Sequence, residues 1–343
     1  MTESKQRAAA QKAKTKIKRP PVKFEETQAL VRRIAARLDG VFISYWNNPR
    51  GSVCHNDVIA IYKMLEGIGH KDTVYLFIKS GGGDGQASLR IVNLLRQYFT
   101  SIHALIPLEC ASAATMIALG ANVVHMGPMS YLTAVDTSIT HDLSPIDRDN
   151  DRVSVSLNEL KRVINLWQKE KDDSSSNPYK SLFEYVHPLV IGAVDRAESL
   201  SVMLCKNILA YHIEDEAKAD QIAQTLNSRY PSHSYPILAK EARSLGLNVR
   251  DMDHDVLEML LELNLIYSEM GQRSTIDMDE THSHTNEILN IIETDGLLLY
   301  YEMDKDWFYR TQERRWVTMN DDSGWRKVER KNGKVARSHF HIA

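Results

Sequence analysis

The run Thr73-Val74-Tyr75-Leu76-Phe77-Ile78 has almost no polar interruption, and it ends directly in Lys79-Ser80-Gly81-Gly82-Gly83-Asp84-Gly85. A strand apolar on both faces is buried on both faces, which is the signature of a parallel sheet covered by helices on each side. The next segments fit the same plan. A helix-patterned run reaches Phe99, and an apolar strand spans Ile102 to Leu108. The small-residue elbow Glu109-Cys110-Ala111-Ser112-Ala113-Ala114-Thr115 then enters a short helix, and Val123-Val124-His125-Met126 is a further strand. Upstream, Val41 to Trp46 reads as a strand, and Asn56 to Gly67 as an amphipathic helix with Asn56 as N-cap and Gly67 as stop. Strands alternating with helices specify an α/β domain with a mainly parallel sheet and right-handed crossovers. Ser80–Gly83 and Cys110–Ala113 both follow strands immediately, which places them at the carboxyl end of the sheet, where such folds bind ligands.

With 343 residues, 43% of them apolar and 25% charged, the chain has ample material for one large domain or two ordinary ones. No window approaches the ~18 consecutive apolar residues of a bilayer span. The charged N-terminus has no apolar stretch behind it, so no export signal is expected. Cys54, Cys110 and Cys205 are scattered with no CxxC pair, pointing to a reduced, cytoplasmic setting without disulfides or a thiolate zinc site. The net charge of −3 is unevenly spread: residues 1–23 hold eight Lys/Arg against one acid (+7), leaving −10 for the remainder. That segment is low in complexity, lacks apolar periodicity and closes with Pro20-Pro21, so it reads as a disordered basic tail suited to an acidic partner surface.

The α/β core is expected over residues 24–150. Residues 151–270 change to helical texture: Leu157, Leu160, Val163, Ile164 and Trp167 at helical spacing, a breaker Asp172 to Pro178, then runs from Pro188 to Tyr211, Asp215 to Leu226, Ala239 to Leu245 and Asp253 to Met270. The motif Tyr230-Pro231-Ser232-His233-Ser234-Tyr235-Pro236 interrupts them as a rigid loop. Beyond a polar stretch from Gly271 to Asn286, Leu297–Tyr301 and Arg315–Val317 read as strands of a small β-containing appendage over residues 271–343.

The chemistry concentrates between Lys79 and Asp136. The glycine run is neither a Walker loop, lacking Gly-Lys-Ser/Thr, nor a GxGxxG turn. Consecutive glycines let a backbone approach a ligand closely and present N–H groups to an anion; they also make an ordinary tight turn. Ser112 at the head of a helix is either an N-cap or a nucleophile whose neighbour's N–H stabilises an oxyanion.

The strand ending in Ser80-Gly81-Gly82-Gly83, with an Ala111-Ser112-Ala113 elbow some thirty residues on, resembles the Clp peptidase/crotonase superfamily. Within it the chain looks most like the serine dehydrogenase proteinase family, relatives of signal peptide peptidase A. The likeness runs through Ser112–Ala121, Met126–Ser130, Pro188–Ala197 and Tyr230–Ile237, over roughly residues 25–270. It implies a Clp/crotonase-like fold with a helical extension, a cofactor-free serine peptidase, and a homo-oligomer built through the helical part. It also implies Ser112 as nucleophile, an oxyanion hole from the N–H groups of Gly83 and Ala113, and a peptide added as a strand beside the Gly82-Gly83 turn. The chain departs from the family pattern at Gly81 (usually Pro), at Ala111 (usually Lys) and in Leu132-Thr133-Ala134-Val135-Asp136-Thr137 (usually Leu-Gly-Pro-Ile-Asp-Pro).

A serine nucleophile needs a base within hydrogen-bond reach. In Clp peptidases the histidine lies about where Asp136 falls, and an aspartate with an ordinary pKa near ~3.9 is a poor base. His141, five residues on, is the expected base, with Asp136 orienting it. His125 within a strand reads as a packed histidine, His233 between prolines as a structural one, and Lys79 is either a dyad base or a surface lysine. The pairs His282/His284 and His339/His341 lack partnering ligands at metal-site spacing. Trp307, Trp316 and Trp325 stand among basic residues but also among acids, so a packed β element is favoured over a nucleic-acid surface. Two further classes stay open: a catalytically silent peptide-binding or scaffolding protein, and a crotonase-like acyl-CoA enzyme.

Overall fold

The computed structural model describes residues 19–147, 151–170, 180, 182–331 and 333–342. The expected tail up to residue 18 and the Asp172 to Pro178 breaker lie outside the described residues.

The chain opens with α1 (Phe24–Ala35), whose Phe24, Leu30, Val31 and Ile34 face inward, and continues into β1 (Val41–Asn47). The next helix, α2 (His55–Ile68), begins earlier than the expected Asn56 cap. Cys54 caps it, its N–H bonded to Asp57 Oδ2 at 2.8 Å. Asp57 is itself fixed by Tyr45 Oη–H (2.6 Å) and Asn290 Nδ2–H (2.9 Å), and this buried anchor draws the first turn back. The helix runs through Gly67 and stops at Gly69, whose φ of +72° favours glycine. Then follow β2 (Lys71–Lys79), α3 (Gly85–Tyr98), β3 (Phe99–Ile106), the short β4 (Glu109–Cys110), α4 (Ala113–Leu119) and β5 (Val123–Met126).

Strands β1, β2, β3 and β5 are paired in parallel, as the unbroken apolar run of β2 requires. Alternate residues separate the two faces. Ile43, Tyr45, Leu76 and Ile78 pack with α2, α3 and α4 in one core layer. Phe42, Trp46, Phe77 and Leu105 pack in the other, with α1 and a later helix. Trp46 is fully buried there and donates Nε1–H to Asn264 Oδ1 (2.9 Å), so its polar atom is satisfied as its rings leave water.

Short pairings follow: β6 (Tyr131–Leu132) beside β4, then β7 (Ser138–Ile139) against β8 (Val155–Ser156). The helical half comprises α5 (Leu157–Glu170), α6 (Pro188–Leu209), α7 (Glu216–Ser228), α8 (Ala239–Ser244) and, after β9 (Val249–Asp251), α9 (His254–Met270). The strand β9 extends the parallel sheet beside β5.

The C-terminal strands are more extensive than the expected pair and continue the core sheet. The polar stretch contains β10 (Ser274–Asp277) and the start of β11 (His282–Thr294). Antiparallel β12 (Leu297–Arg310), β13 (Arg315–Asp321), β14 (Gly324–Lys331) and β15 (Lys334–His339) follow. The far end of β11 pairs antiparallel with β1, matching Ser44 with Glu293 and Asn47 with Asn290. Polarity concealed this strand because its polar residues are buried and partnered. Asn286 donates to Glu302 (3.0 Å), and Glu287 accepts from Asn48 (2.8 Å) and pairs with Arg50. His284 is paired with Asp304 and Asp306 across neighbouring strands, and no set of side chains placed to hold a metal ion occurs among the described residues. No helix of the described residues is long and apolar enough to cross a membrane.

Candidate active site

The strand β4, the elbow and α4 form a strand–turn–helix in which Ser112 has φ +51° and ψ −120°. Apart from glycine, that backbone region is sparsely populated and costs about 1–3 kcal/mol, so other contacts must hold it. Ser112 occupies the N-cap position of α4, but its hydroxyl makes no capping hydrogen bond. The elbow is fastened on both sides. Ser80 N–H donates to Glu109 O (3.2 Å) and Ala111 N–H to Ser80 O (2.9 Å), while Ser112 N–H reaches Thr133 Oγ1 (2.8 Å).

Two glycines shape the facing turn. A Cβ on Gly82 (φ +108°) would stand 2.6 Å from Ser112 Cβ and 3.2 Å from its Oγ, so only a bare backbone passes beside the serine. A Cβ on Gly83 (φ +147°) would meet Val53 O at 2.4 Å. Val53 is paired with this turn: its N–H donates to Gly82 O (2.8 Å) and its carbonyl accepts Asp84 N–H (2.9 Å). Gly82 N–H is also taken, by Ser80 Oγ (3.1 Å). The turn edge expected to accept a peptide is therefore filled on this side by the chain's own Val53, and Gly82 contributes clearance rather than a free donor. In a parallel bridge of this register the N–H of Gly83 points away from Val53. Neither that N–H nor that of Ala113, at the unpaired start of α4, has an acceptor among the described residues.

A cavity of about 370 Å³ opens between these turns and α6. Ser112, Gly83, Ala113, Asp136 and His233 line it, with Met116, Val135, Leu200 and Leu204 among its apolar walls. Four of the expected site residues, Ser112, Gly83, Ala113 and Asp136, thus meet at one cavity.

His141 is not among its lining residues. After Ser138 the chain pairs with Val155–Ser156 and leaves the site. His141 then folds into a local turn, its Nδ1 accepting Leu143 N–H (3.1 Å) and its own N–H donating to Ser144 Oγ (2.9 Å). The histidine facing Ser112 across the cavity is His233, 97 residues beyond Asp136, whose Nδ1 is 2.9 Å from Asp136 Oδ1. Backbone pairing brings it there: Leu132 N–H donates to Ile237 O (3.0 Å) and Ile237 N–H to Leu132 O (2.8 Å). These bonds lay the Tyr230–Pro236 loop beside the Asp136 segment. The sequence signal was that loop itself, a histidine framed by Pro231 and Pro236 within a helical region.

Asp136 is mostly buried, and burial works against its charge. Hydrogen bonds from His233 and from Asn158 Nδ2 (3.3 Å) outweigh that and hold its pKa below the usual carboxylate value. The bond to Asp136 in turn raises the His233 pKa above the ordinary imidazole value, against a smaller opposing effect of burial. With Nδ1 directed at the carboxylate, Nε2 is the ring atom available to the cavity.

The other candidates are engaged elsewhere. Lys79 Nζ bonds Asn47 O (3.0 Å) and Glu109 Oε1 (2.9 Å), over the Trp46 ring, and does not line the cavity. His125 packs against His103 (3.1 Å between ring nitrogens), and burial, followed by His103 and Arg250, brings its pKa down to about 4. Burial and Asp57 push the Cys54 thiol up to about 11, the reverse of an activated cysteine.

No family model matches the chain. Over 203 residues it is 23% identical to an uncharacterized protein of Methanocaldococcus jannaschii; the match covers 59% of this chain and 61% of that protein, less than two thirds of its length. Similar solved structures include a mutant of 1510-N, a membrane-bound stomatin-specific protease, in complex with a substrate peptide. It is 14% identical with a TM-score of 0.37, covering 64% of this chain and 80% of that one. A second mutant of the same protease is 13% identical with a TM-score of 0.37, covering 68% and 87%. A mutant ClpP1 from Listeria monocytogenes is 16% identical with a TM-score of 0.31, covering 66% and 97%.

Proposed function

We propose that the protein is a serine hydrolase of the serine dehydrogenase proteinase type, acting on peptides through an acyl-enzyme on Ser112. The observation that carries this reading is the strained backbone of Ser112 on a strand–turn–helix, with a hydroxyl that caps nothing and opens on a cavity shared with a His–Asp pair. His233 Nε2 takes the Ser112 proton as Oγ attacks the scissile carbonyl, and Asp136 holds the ring and balances the imidazolium. The N–H groups of Gly83 and Ala113 receive the developing oxyanion. His233 then protonates the leaving amine, and water repeats the cycle to release the acid. The peptide as substrate class, and a cytoplasmic homo-oligomer as working form, rest on the resemblance. Exposed apolar side chains such as Leu166 on α5 and Leu189 on α6 agree with an assembling helical half.

The test is a fluorophosphonate probe, with the adduct mapped by mass spectrometry. Modification of Ser112 that disappears in Ser112→Ala is the expected result. A folded protein that never labels leaves a silent peptide-binding protein as the better reading.

A further inference from the structure

Thr133 stands where the resembled family carries glycine, and its side chain joins two parts of the candidate site. It is 2% exposed. Its Oγ1 accepts the Ser112 N–H at 2.8 Å and donates its one proton to Ala134 O at 3.0 Å, so a lone pair is held toward the serine. Its own N–H donates to Thr115 Oγ1 (3.2 Å), which in turn donates to Cys110 O (2.7 Å). Both ends of the elbow are therefore tied to one residue.

That residue lies three positions before Asp136 on a segment with no slack. Val135 N–H donates to Leu226 O (3.0 Å), and Val135 O accepts from Ser201 Oγ (2.9 Å). The bond from Ser112 N–H to Thr133 Oγ1 is thus a direct link between the nucleophile's backbone and the segment carrying the histidine's partner. The positive φ of Ser112 and the acceptor for its N–H occur together, and the Thr133 hydroxyl is that acceptor. An unpaired N–H at this half-buried position would cost about 1–3 kcal/mol at most, comparable with the backbone strain beside it.

We infer that Thr133 is a positioning residue: it holds Ser112 in its left-handed backbone conformation and sets the serine hydroxyl in register with His233. The inference rests on the hydrolase reading above. A glycine at this position offers no such acceptor, so the device belongs to this chain rather than to the resembled pattern.

The test compares Thr133→Val, which removes the acceptor at nearly constant shape, with Thr133→Ser, which keeps it. Fluorophosphonate labelling of Ser112 is timed across pH, with amide hydrogen exchange followed at Ser112. T133V is expected to label at least about tenfold more slowly, the scale of a slightly displaced reacting group. Its acid limb stays in place because the Asp136–His233 pair is untouched. T133S labels close to the wild-type rate, and the Ser112 amide is protected in wild type and in T133S. Labelling of T133V at the wild-type rate overturns the inference, as does a T133S as slow as T133V. So does a wild-type Ser112 amide that exchanges like a free loop, a result readable even where T133V fails to fold. A wild-type protein that does not label overturns the hydrolase reading and this inference together; the other failures leave that reading standing.

Discussion

His233 Nδ1 and Asp136 Oδ1 are 2.9 Å apart although 97 residues separate them in the chain. Each sits on a segment pinned by backbone pairing, Leu132 with Ile237 and Val135 with Leu226, so the pair is held by main-chain hydrogen bonds and not by side-chain contact alone.

That pair sets the pH response. A general base works only when neutral, so labelling of Ser112 should rise as pH rises through the His233 pKa. Asp136 holds that pKa above the ordinary imidazole value, so the limb should lie on the alkaline side of it. Asp136→Asn removes the largest raising contribution, and the limb should move to lower pH while the plateau rate falls. A limb that stays in place would remove Asp136 from the site.

The two histidines are separable by mutation. His233→Ala should lower Ser112 labelling by roughly the ~10²–10⁴-fold typical of losing a general base. His141→Ala removes a local turn contact outside the cavity and should leave the labelling rate unchanged. The reverse ranking would restore His141 as the base.

Gly82 is a steric requirement. Gly82→Ala must fit a Cβ within 2.6 Å of Ser112 Cβ at a φ of +108°. The expected cost is about 1–3 kcal/mol of stability from backbone strain, with loss of labelling because the elbow moves. Denaturant unfolding monitored by Trp fluorescence, run beside the labelling assay, measures both. A fully reactive G82A would show that the turn can move away from Ser112 at little cost.

Glu293 makes stability pH-dependent. Its buried carboxylate accepts from Thr27 Oγ1 (2.7 Å), Gln28 Nε2 (2.7 Å) and Tyr267 Oη (2.6 Å), yet burial dominates and pushes its pKa from 4.5 to about 7. An acid raised on folding favours the folded state most when protonated. The contribution is complete below 4.5 and is lost as pH climbs to about 7. Wild-type stability should therefore fall across that window by a few kcal/mol, and Glu293→Gln should flatten the fall. An unchanged slope in urea titrations would assign the pH dependence to other groups.

The parallel core was legible because burial on both faces writes itself into Thr73–Ile78 as continuous apolar sequence. The turns Ser80–Gly83 and Cys110–Ala113 were legible as neighbours because both follow strands of a parallel sheet, whereas Asp136 was named only through the family resemblance. His233 stood out only as a structural histidine framed by prolines, since the backbone pairings that carry its loop to Asp136 have no side-chain signature. His141 is close to Asp136 along the chain, but the β7–β8 pairing takes it elsewhere. The start of β11 was hidden for the opposite reason to β2: its partners are polar, and buried Asn286 and Glu287 look like loop residues until Glu302, Asn48 and Arg50 are seen beside them.

The pairing of β11 with β1 bears on how the chain is made as well as how it stands. Until residues near Glu293 emerge from the ribosome, β1 has an open flank on which Ser44 to Asn47 offer unpaired amides and carbonyls, and α1 lacks the carboxylate that Thr27 and Gln28 grip. The nascent protein thus waits with a sticky margin while more than 200 further residues are made, and closure comes through contacts of that span. A chain cut after Met270 would keep every residue of the candidate site and still be prone to associate through that margin.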